Sequence, residues 1–299
     1  MPHTWRSAWS KTLGLFSSLA LAGSALAATP TDNAAWKRLF ESWKAPCDPV
    51  RIAGPVYYVG ASGVSAFLIT SSAGHVLIDT GFEETVGVIR TNVARLGFKM
   101  ADIKYLLASH AHMDHVGGHA SMKELTGAKI IMSEADAALL ASGGKDDFGP
   151  TADPQMAYRT ARADRIVRDG ETVTIGDVTL RCHLTPGHTR GATSWSMEVV
   201  EGGQRLNVLF FSSLSLLDGT RVQNNPKYPN LVADYRATFA KLRALPCDIF
   251  LAPHGGMFGL AEKAMRQARG DKSNPFIDRE ALPKVVADAE KSLNAALAK

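Results

Sequence analysis

Seven consecutive residues constrain this chain more than anything else in it: Ser109-His110-Ala111-His112-Met113-Asp114-His115. They follow Lys104-Tyr-Leu-Leu-Ala108, an apolar run of strand length. Four metal-ligating groups therefore fall within six residues, His110 to His115. On an extended backbone, residues two apart face the same side, so His110 and His112 point together. Asp114 and His115 need a tight turn to join them, and Gly117-Gly118 just beyond permits unusual backbone geometry. Imidazole nitrogens with one carboxylate oxygen suit zinc.

Two more histidines occupy the same kind of place, a loop directly after a strand-like run. His188 lies in Leu184-Thr-Pro-Gly-His-Thr189 and His254 in Leu251-Ala-Pro-His-Gly-Gly256. Strand-end loops are where sites are assembled on a rigid scaffold. Five histidines and Asp114 make six ligands, enough for two zinc ions with three protein ligands each and open positions for water. The other four histidines carry no such pattern: His3 is in the leader, His75 in a turn between strands, His119 just inside a helix and His183 within a strand.

The 299 residues carry 45 % hydrophobic and 21 % charged side chains, which excludes a mostly disordered chain and a polytopic membrane protein. The net charge is +4 with no basic block interleaved with aromatics, so nucleic acid is not an expected partner. Arg6 and Lys11 precede an apolar run, Leu13 to Ala22, and Ala25-Leu-Ala27 closes it. That order reads as a cleaved secretory signal over residues 1–27, leaving 28–299 as one domain in the periplasm. No other run is long enough for a membrane span, and a monomer is expected. Three cysteines, Cys47, Cys182 and Cys247, leave at least one unpaired, and their pairing stays open.

Periodicity predicts helices at 29–48, 83–96, 118–126, 134–141, 231–244, 259–269 and 280–298. Strands are predicted at 55–59, 66–70, 76–79, 104–108, 165–168, 171–175, 178–184, 193–199, 207–211 and 248–252. Residues 142–163 have no clear period, and a loop of that length is uncommon unless functional. Two successive strand-then-helix sets suggest one mixed α/β domain with two packed sheets and helices outside.

From about Tyr57 to His254 these motifs, in this order, resemble the metallo-β-lactamase fold superfamily. Gly74-His-Val-Leu-Ile-Asp-Thr-Gly81 is similar to its early strand-and-turn motif, in which Asp79 would support the ligands from behind. The resemblance implies a four-layered αβ/βα sandwich with the metals at one edge of the sheets. Its thioesterases, lactonases and ribonucleases place a bridging aspartate after the next strand; here Ser212-Ser213-Leu214-Ser215 stands there. That pair, Ser213 and Ser215, resembles subclass B3 of the true metallo-β-lactamases, as does the stretch from Asn225 to His254. Where B3 enzymes often have Asp-Ser-Leu-Ser and a later tyrosine, this chain has Ser212 and Thr220.

The resemblance implies that His110, His112 and His188 hold one zinc and Asp114, His115 and His254 the second, with Asp114 and His115 also the candidate catalytic residues. Ser213 would orient water and Ser215 bind substrate carboxylate. The implied activity is zinc-dependent hydrolysis of the β-lactam amide of penicillins, cephalosporins or carbapenems by water activated on the metal, hence antibiotic resistance. A lactonase or small-ester hydrolase on the same fold is the alternative. The loop at 142–163 would flank the groove, with Phe148, Met156 and Tyr158 offering apolar contact.

Overall fold

Short apolar runs separated by Gly and Ser turns pair into two sheets. A computed structural model describes residues 33–298; the expected leader over 1–27 lies outside the described residues. In chain order the elements are α1 (Asn33–Trp43), β1 (Val50–Ala53), β2 (Val56–Tyr58), β3 (Phe67–Ser71), β4 (Gly74–Ile78), α2 (Val86–Arg95), β5 (Ile103–Leu107), α3 (Met113–Val116), α4 (His119–Thr126), β6 (Lys129–Met132) and α5 (Glu134–Ser142). Then come β7 (Arg165–Ile166), β8 (Thr172–Ile175), β9 (Val178–Leu184), β10 (Thr193–Glu201), β11 (Gln204–Phe210), α6 (Leu231–Ala244), β12 (Ile249–Leu251), α7 (Leu260–Ala268) and α8 (Ala281–Leu297).

The first sheet has seven strands in sequence order, β1 to β7. It is antiparallel through β4 and parallel from β4 to β7. The second has five strands in the order β12-β11-β10-β9-β8, with only β11 and β12 parallel. Alternation along each strand sends one face inward. Phe67, Ile69, Val76 and Ile78 of the first sheet join Trp195, Val208 and Phe210 of the second in one core, and the Phe67 and Phe210 rings meet at 5.4 Å. The opposite face of the first sheet, Leu68, Leu77, Leu106 and Ile130, packs on Ile89 and Val93 of α2 and Met122 of α4. Helices α6 and α8 cover the second sheet through Phe239, Leu242, Val286 and Leu293. The result is the helix–sheet–sheet–helix layering expected of the α/β sandwich.

Three placements differ from the sequence reading. His75 is not in a turn; it sits buried in β4 with its ring edge-on to Phe98 at 5.2 Å. The turn is Ser72-Ala73, because the β3–β4 register pairs Thr70 with His75 and Ser71 with Gly74. The strands β1 and β6 and the one-turn helix α3 were not expected at all. The first helix ends at Trp43, ahead of Pro46, whose ring disfavours helix in the residue before it. All three cysteines are unpaired, and Cys182 is buried between the sheets.

Candidate metal centre

The C-terminal end of β5 is clamped from both sides before it delivers any ligand. Asp79, just past β4, adopts a left-handed conformation with φ 61°, unusual for a residue other than glycine. It is held there by accepting hydrogen bonds from the Ser109 backbone N–H at 2.7 Å and the Ser109 hydroxyl at 2.6 Å. From the second sheet, Trp195 Nε1 donates to the Ala108 carbonyl at 3.0 Å. Thr193 N–H and the Ser212 hydroxyl both donate to the Ser109 carbonyl at 2.8 Å. Ser212 is thus a strut beneath the cluster.

Asp136, at the start of α5, ties two ligand loops together. Its fully buried carboxylate accepts from Ala111 N–H at 2.9 Å, Thr189 Oγ1 at 3.0 Å and Gly191 N–H at 3.0 Å. Burial pushes its carboxyl up to about 6 despite those donors. His188 turns inward because Gly187 takes φ 144°, and a Cβ there would meet the Tyr235 ring at 2.8 Å.

Two triads result. His110, His112 and His188 offer ligand atoms within 4.8 Å of one another, and so do Asp114, His115 and His254. The triads abut through the His110 and His115 rings, 4.1 Å apart. In four of the five histidines a hydrogen bond fixes one nitrogen and leaves the other for the centre, the usual construction of a metal-ligating imidazole. His110 Nδ1 donates to Ser109 Oγ at 3.1 Å, His112 Nε2 to Asp147 Oδ2 at 2.9 Å, His188 Nδ1 to the Ser215 carbonyl at 2.7 Å, and His254 Nδ1 to the Gly63 carbonyl at 3.0 Å. His115 differs: neither ring nitrogen has a hydrogen-bond partner, with Asp79 Oδ2 3.5 Å from Nδ1 and Asp114 Oδ2 3.1 Å from Nε2.

Burial and crowding set the charges. Burial, then the neighbouring His115, His188 and His112, hold His110 well below the ordinary histidine range. Burial and His112 take His188 down to about 3, and burial and His115 take His254 down to about 4. These three rings are neutral at pH 7 and present lone pairs. Burial also disfavours charge on His115, but the Asp114 and Asp79 carboxylates outweigh it and lift His115 to about 10. Burial would raise Asp114, yet His115 and His254 hold it well below the carboxylate range. The donor set fits divalent cations: ligand atoms converge within each triad, and the partly buried Asp114 carboxylate beside crowded rings supplies compensating negative charge.

Every residue expected to act lines one groove: both triads, Ser213 and Ser215. Ser213 is buried and its hydroxyl accepts from Ser215 N–H at 3.2 Å. Ser215 also works through its backbone, since its carbonyl receives His188 Nδ1 and the Tyr235 hydroxyl. In the 142–163 loop Met156 and Tyr158 reach the groove, whereas Phe148 turns to pack edge-on against Tyr228 at 4.8 Å. Sequence reasoning missed Asp136, Asp147 and Trp43, whose ring lies 4.5 Å from His254. Nothing local marks any of the three, because each acts across a long sequence gap. Among the described residues no helix is long and apolar enough to cross a membrane.

Residues 59–254 match the family model described as the metallo-beta-lactamase superfamily. Among solved structures, the native FEZ-1 metallo-β-lactamase from Legionella gormanii is 35 % identical, with TM-score 0.82 over 85 % of this chain and 96 % of that one. A Cronobacter sakazakii metallo-β-lactamase with a HARLDQ motif is 42 % identical, with TM-score 0.82 over 87 % of this chain and 98 % of that one. BJP-1, a subclass B3 metallo-β-lactamase of Bradyrhizobium japonicum, is 39 % identical, with TM-score 0.79 over 86 % and 96 %. Curated relatives are more distant: a probable metallo-hydrolase of Burkholderia pseudomallei is 29 % identical over 136 residues, 42 % of this chain and 45 % of the relative. An N-acyl homoserine lactonase of Azorhizobium caulinodans is 28 % identical over 211 residues, 61 % of this chain and 76 % of the relative. The chain spans about half the length of the first curated relatives it matches.

Proposed function

This chain belongs to the metallo-β-lactamase superfamily, and from that premise we propose that it hydrolyses the amide bond of β-lactam antibiotics in the periplasm, using two zinc ions. One observation carries the reading. The residues after β11 are Ser212-Ser213-Leu214-Ser215, with Ser213 in the groove beside both triads, and no carboxylate stands there to bridge two metals. That arrangement sets the chain apart from ester and thioester hydrolases of this fold and agrees with its likeness to solved metallo-β-lactamases.

His110, His112 and His188 would hold the first ion, and Asp114, His115 and His254 the second. Zinc bound there supplies a Lewis acid for the lactam carbonyl and lowers the pKa of water to about 7. The protein does the positioning. The four ring anchors hold their lone pairs toward the centre, so little reorganisation is needed as charge develops. Asp114, kept ionised, accepts a hydrogen bond from attacking water and orients it. The Ser213 hydroxyl lines the same wall and shares that task. Ser215, partly exposed in the groove, offers its hydroxyl to the substrate carboxylate. Met156 and Tyr158 shape the apolar wall that excludes water from the lactam ring.

The test is hydrolysis of a carbapenem, a cephalosporin and a penicillin by residues 28–299, before and after chelation and after zinc is returned. The reading expects rapid turnover that chelation abolishes and zinc restores. The likeness to an N-acyl homoserine lactonase supports the second reading, so a lactone is assayed alongside. Turnover of the lactone with none of any lactam would replace the first reading by the second.

A further inference from the structure

We propose that Asp147 is a positioning residue for the metal centre and that it couples the 142–163 loop to His112, so that metal retention and loop order depend on each other. The proposal rests on His112 being a ligand of the first ion.

The loop is long and weakly structured, with only the short 3₁₀ turns Pro150–Ala152 and Pro154–Met156 in its middle. Yet it buries a carboxylate: Asp147 is 3 % exposed. Burying an acid is costly unless donors meet it. Here three do. His112 Nε2 donates at 2.9 Å, Phe148 N–H at 2.7 Å, and the Thr151 hydroxyl also bonds to it. The Asp147 carbonyl in turn receives Lys227 Nζ at 2.8 Å. The last two donors, the Phe148 backbone N–H and the Thr151 hydroxyl, belong to the loop itself, so the loop is folded around this carboxylate. The remaining donor is a metal-ligand candidate.

That bond decides two things about His112. A carboxylate only accepts, so Nε2 must carry the hydrogen, and Nδ1 is left with the lone pair. The acceptor also makes the ring a stronger donor to a metal through Nδ1. A second tether grips the same stretch from the other end of the loop. The Tyr158 hydroxyl donates at 2.5 Å to the carbonyl of Ala111, the residue between His110 and His112. The loop that walls the substrate groove is thus bonded at both ends to the segment presenting the first triad. Anything that frees His112 frees the loop, and anything that loosens the loop costs the ligand its orientation.

The experiment compares residues 28–299 with Asp147→Ala and Asp147→Asn variants. Zinc affinity is read by competition with a chromophoric chelator, and hydrogen exchange of 142–163 is read with and without zinc. The visible spectrum of the cobalt(II)-loaded protein reports ligand geometry. Asp147→Ala should weaken the tighter zinc site by about 10–100-fold, with Asp147→Asn between it and the unmodified chain. Zinc should slow exchange of the loop in the unmodified chain and leave it fast in Asp147→Ala, and the cobalt spectrum should shift. A structural role alone would lower thermal stability without making loop exchange insensitive to zinc. If Asp147→Ala fails to fold, the isosteric Asp147→Asn carries the test. Unchanged zinc affinity with unchanged zinc-dependence of the loop in a folded variant overturns this proposal alone. An unmodified chain that binds no zinc overturns the ligand assignment, and this proposal with it.

Discussion

The two triads share a groove but are built by opposite means. In the three-histidine triad all members are buried, and each ring is pinned by a hydrogen bond to Ser109 Oγ, Asp147 or the Ser215 carbonyl. In the other, only His254 has such an anchor, on the Gly63 carbonyl, and His115 is held by the charges of Asp114 and Asp79. Rings pinned by hydrogen bonds need no rearrangement to accept a cation. An ion pair must be taken apart first. On the proposed two-zinc reading, the contrast predicts an order of filling: the three-histidine triad should take the first ion, and the Asp114 triad the second, more weakly.

The largest expected effect comes from breaking the pinned triad. His188→Ala should lose the tightly held zinc and drop lactam hydrolysis on the order of 10²–10³-fold or more, the scale of losing a principal stabiliser of transition-state charge. Metal analysis of the purified variant beside its turnover checks this, and full activity with two zincs would refute the ligand assignment. Asp114→Asn comes next. It should leave the first ion in place, cut the zinc content from two per chain to one, and weaken the second site by at least the ~10–100-fold typical of losing a supporting carboxylate. Equal loss of both ions from Asp114→Asn would erase the proposed difference between the triads.

A third experiment sharpens the contrast through protons. His115 is lifted to about 10, so in the metal-free protein it carries a proton at neutral pH and sheds it only as the pH rises toward that value. His110 and His188 are depressed and already neutral there. Filling the second site must therefore expel about one proton, whereas these two rings contribute none to filling the first. Second-site affinity should climb roughly tenfold per pH unit between about pH 6 and 9, with no matching slope contributed by His110 or His188. Calorimetric zinc titration in buffers of different ionisation heat measures the proton count directly. Proton release confined to the tighter site would reverse the assignment.

What was legible in the sequence divides along the same line. His110, His112, Asp114 and His115 are close in the chain, and short-range spacing exposes them. His188 and His254 were recoverable because each follows a strand and fills a vacancy in zinc chemistry. Most strands and helices were readable from period alone, since their apolar faces pack against a sheet and repeat regularly. Of the supports only Asp79 was pointed to, by the resemblance; the others were not readable. Ser212 reaches Ser109 across 103 residues and Asp147 reaches His112 across 35, and neither residue carries a local pattern. His75 was misplaced because a histidine between two Gly/Ser-flanked runs looks like a turn. Only the β3–β4 register, set by burying Ile69 opposite Val76, draws it into the strand.

The smallest effect tests whether the weaker triad borrows rigidity from α1. The Trp43 ring lies against His254 at 4.5 Å with a 48° tilt. It also closes over Gly63, where a Cβ would come within 2.4 Å of Trp43. Gly63 supplies the carbonyl that holds His254 Nδ1, so one indole backs both the ligand and its anchor. Among the described residues, the ring contacts of the pinned triad are with one another and with His115, and none is with α1. Trp43→Ala should therefore loosen only the second site, by the roughly 0.5–1.5 kcal/mol of an aromatic pair, or about 2–12-fold in zinc affinity. The first site should keep its affinity. If both sites weaken together, α1 acts on the whole edge of the sandwich, and the difference between the triads lies in their charges rather than in their packing.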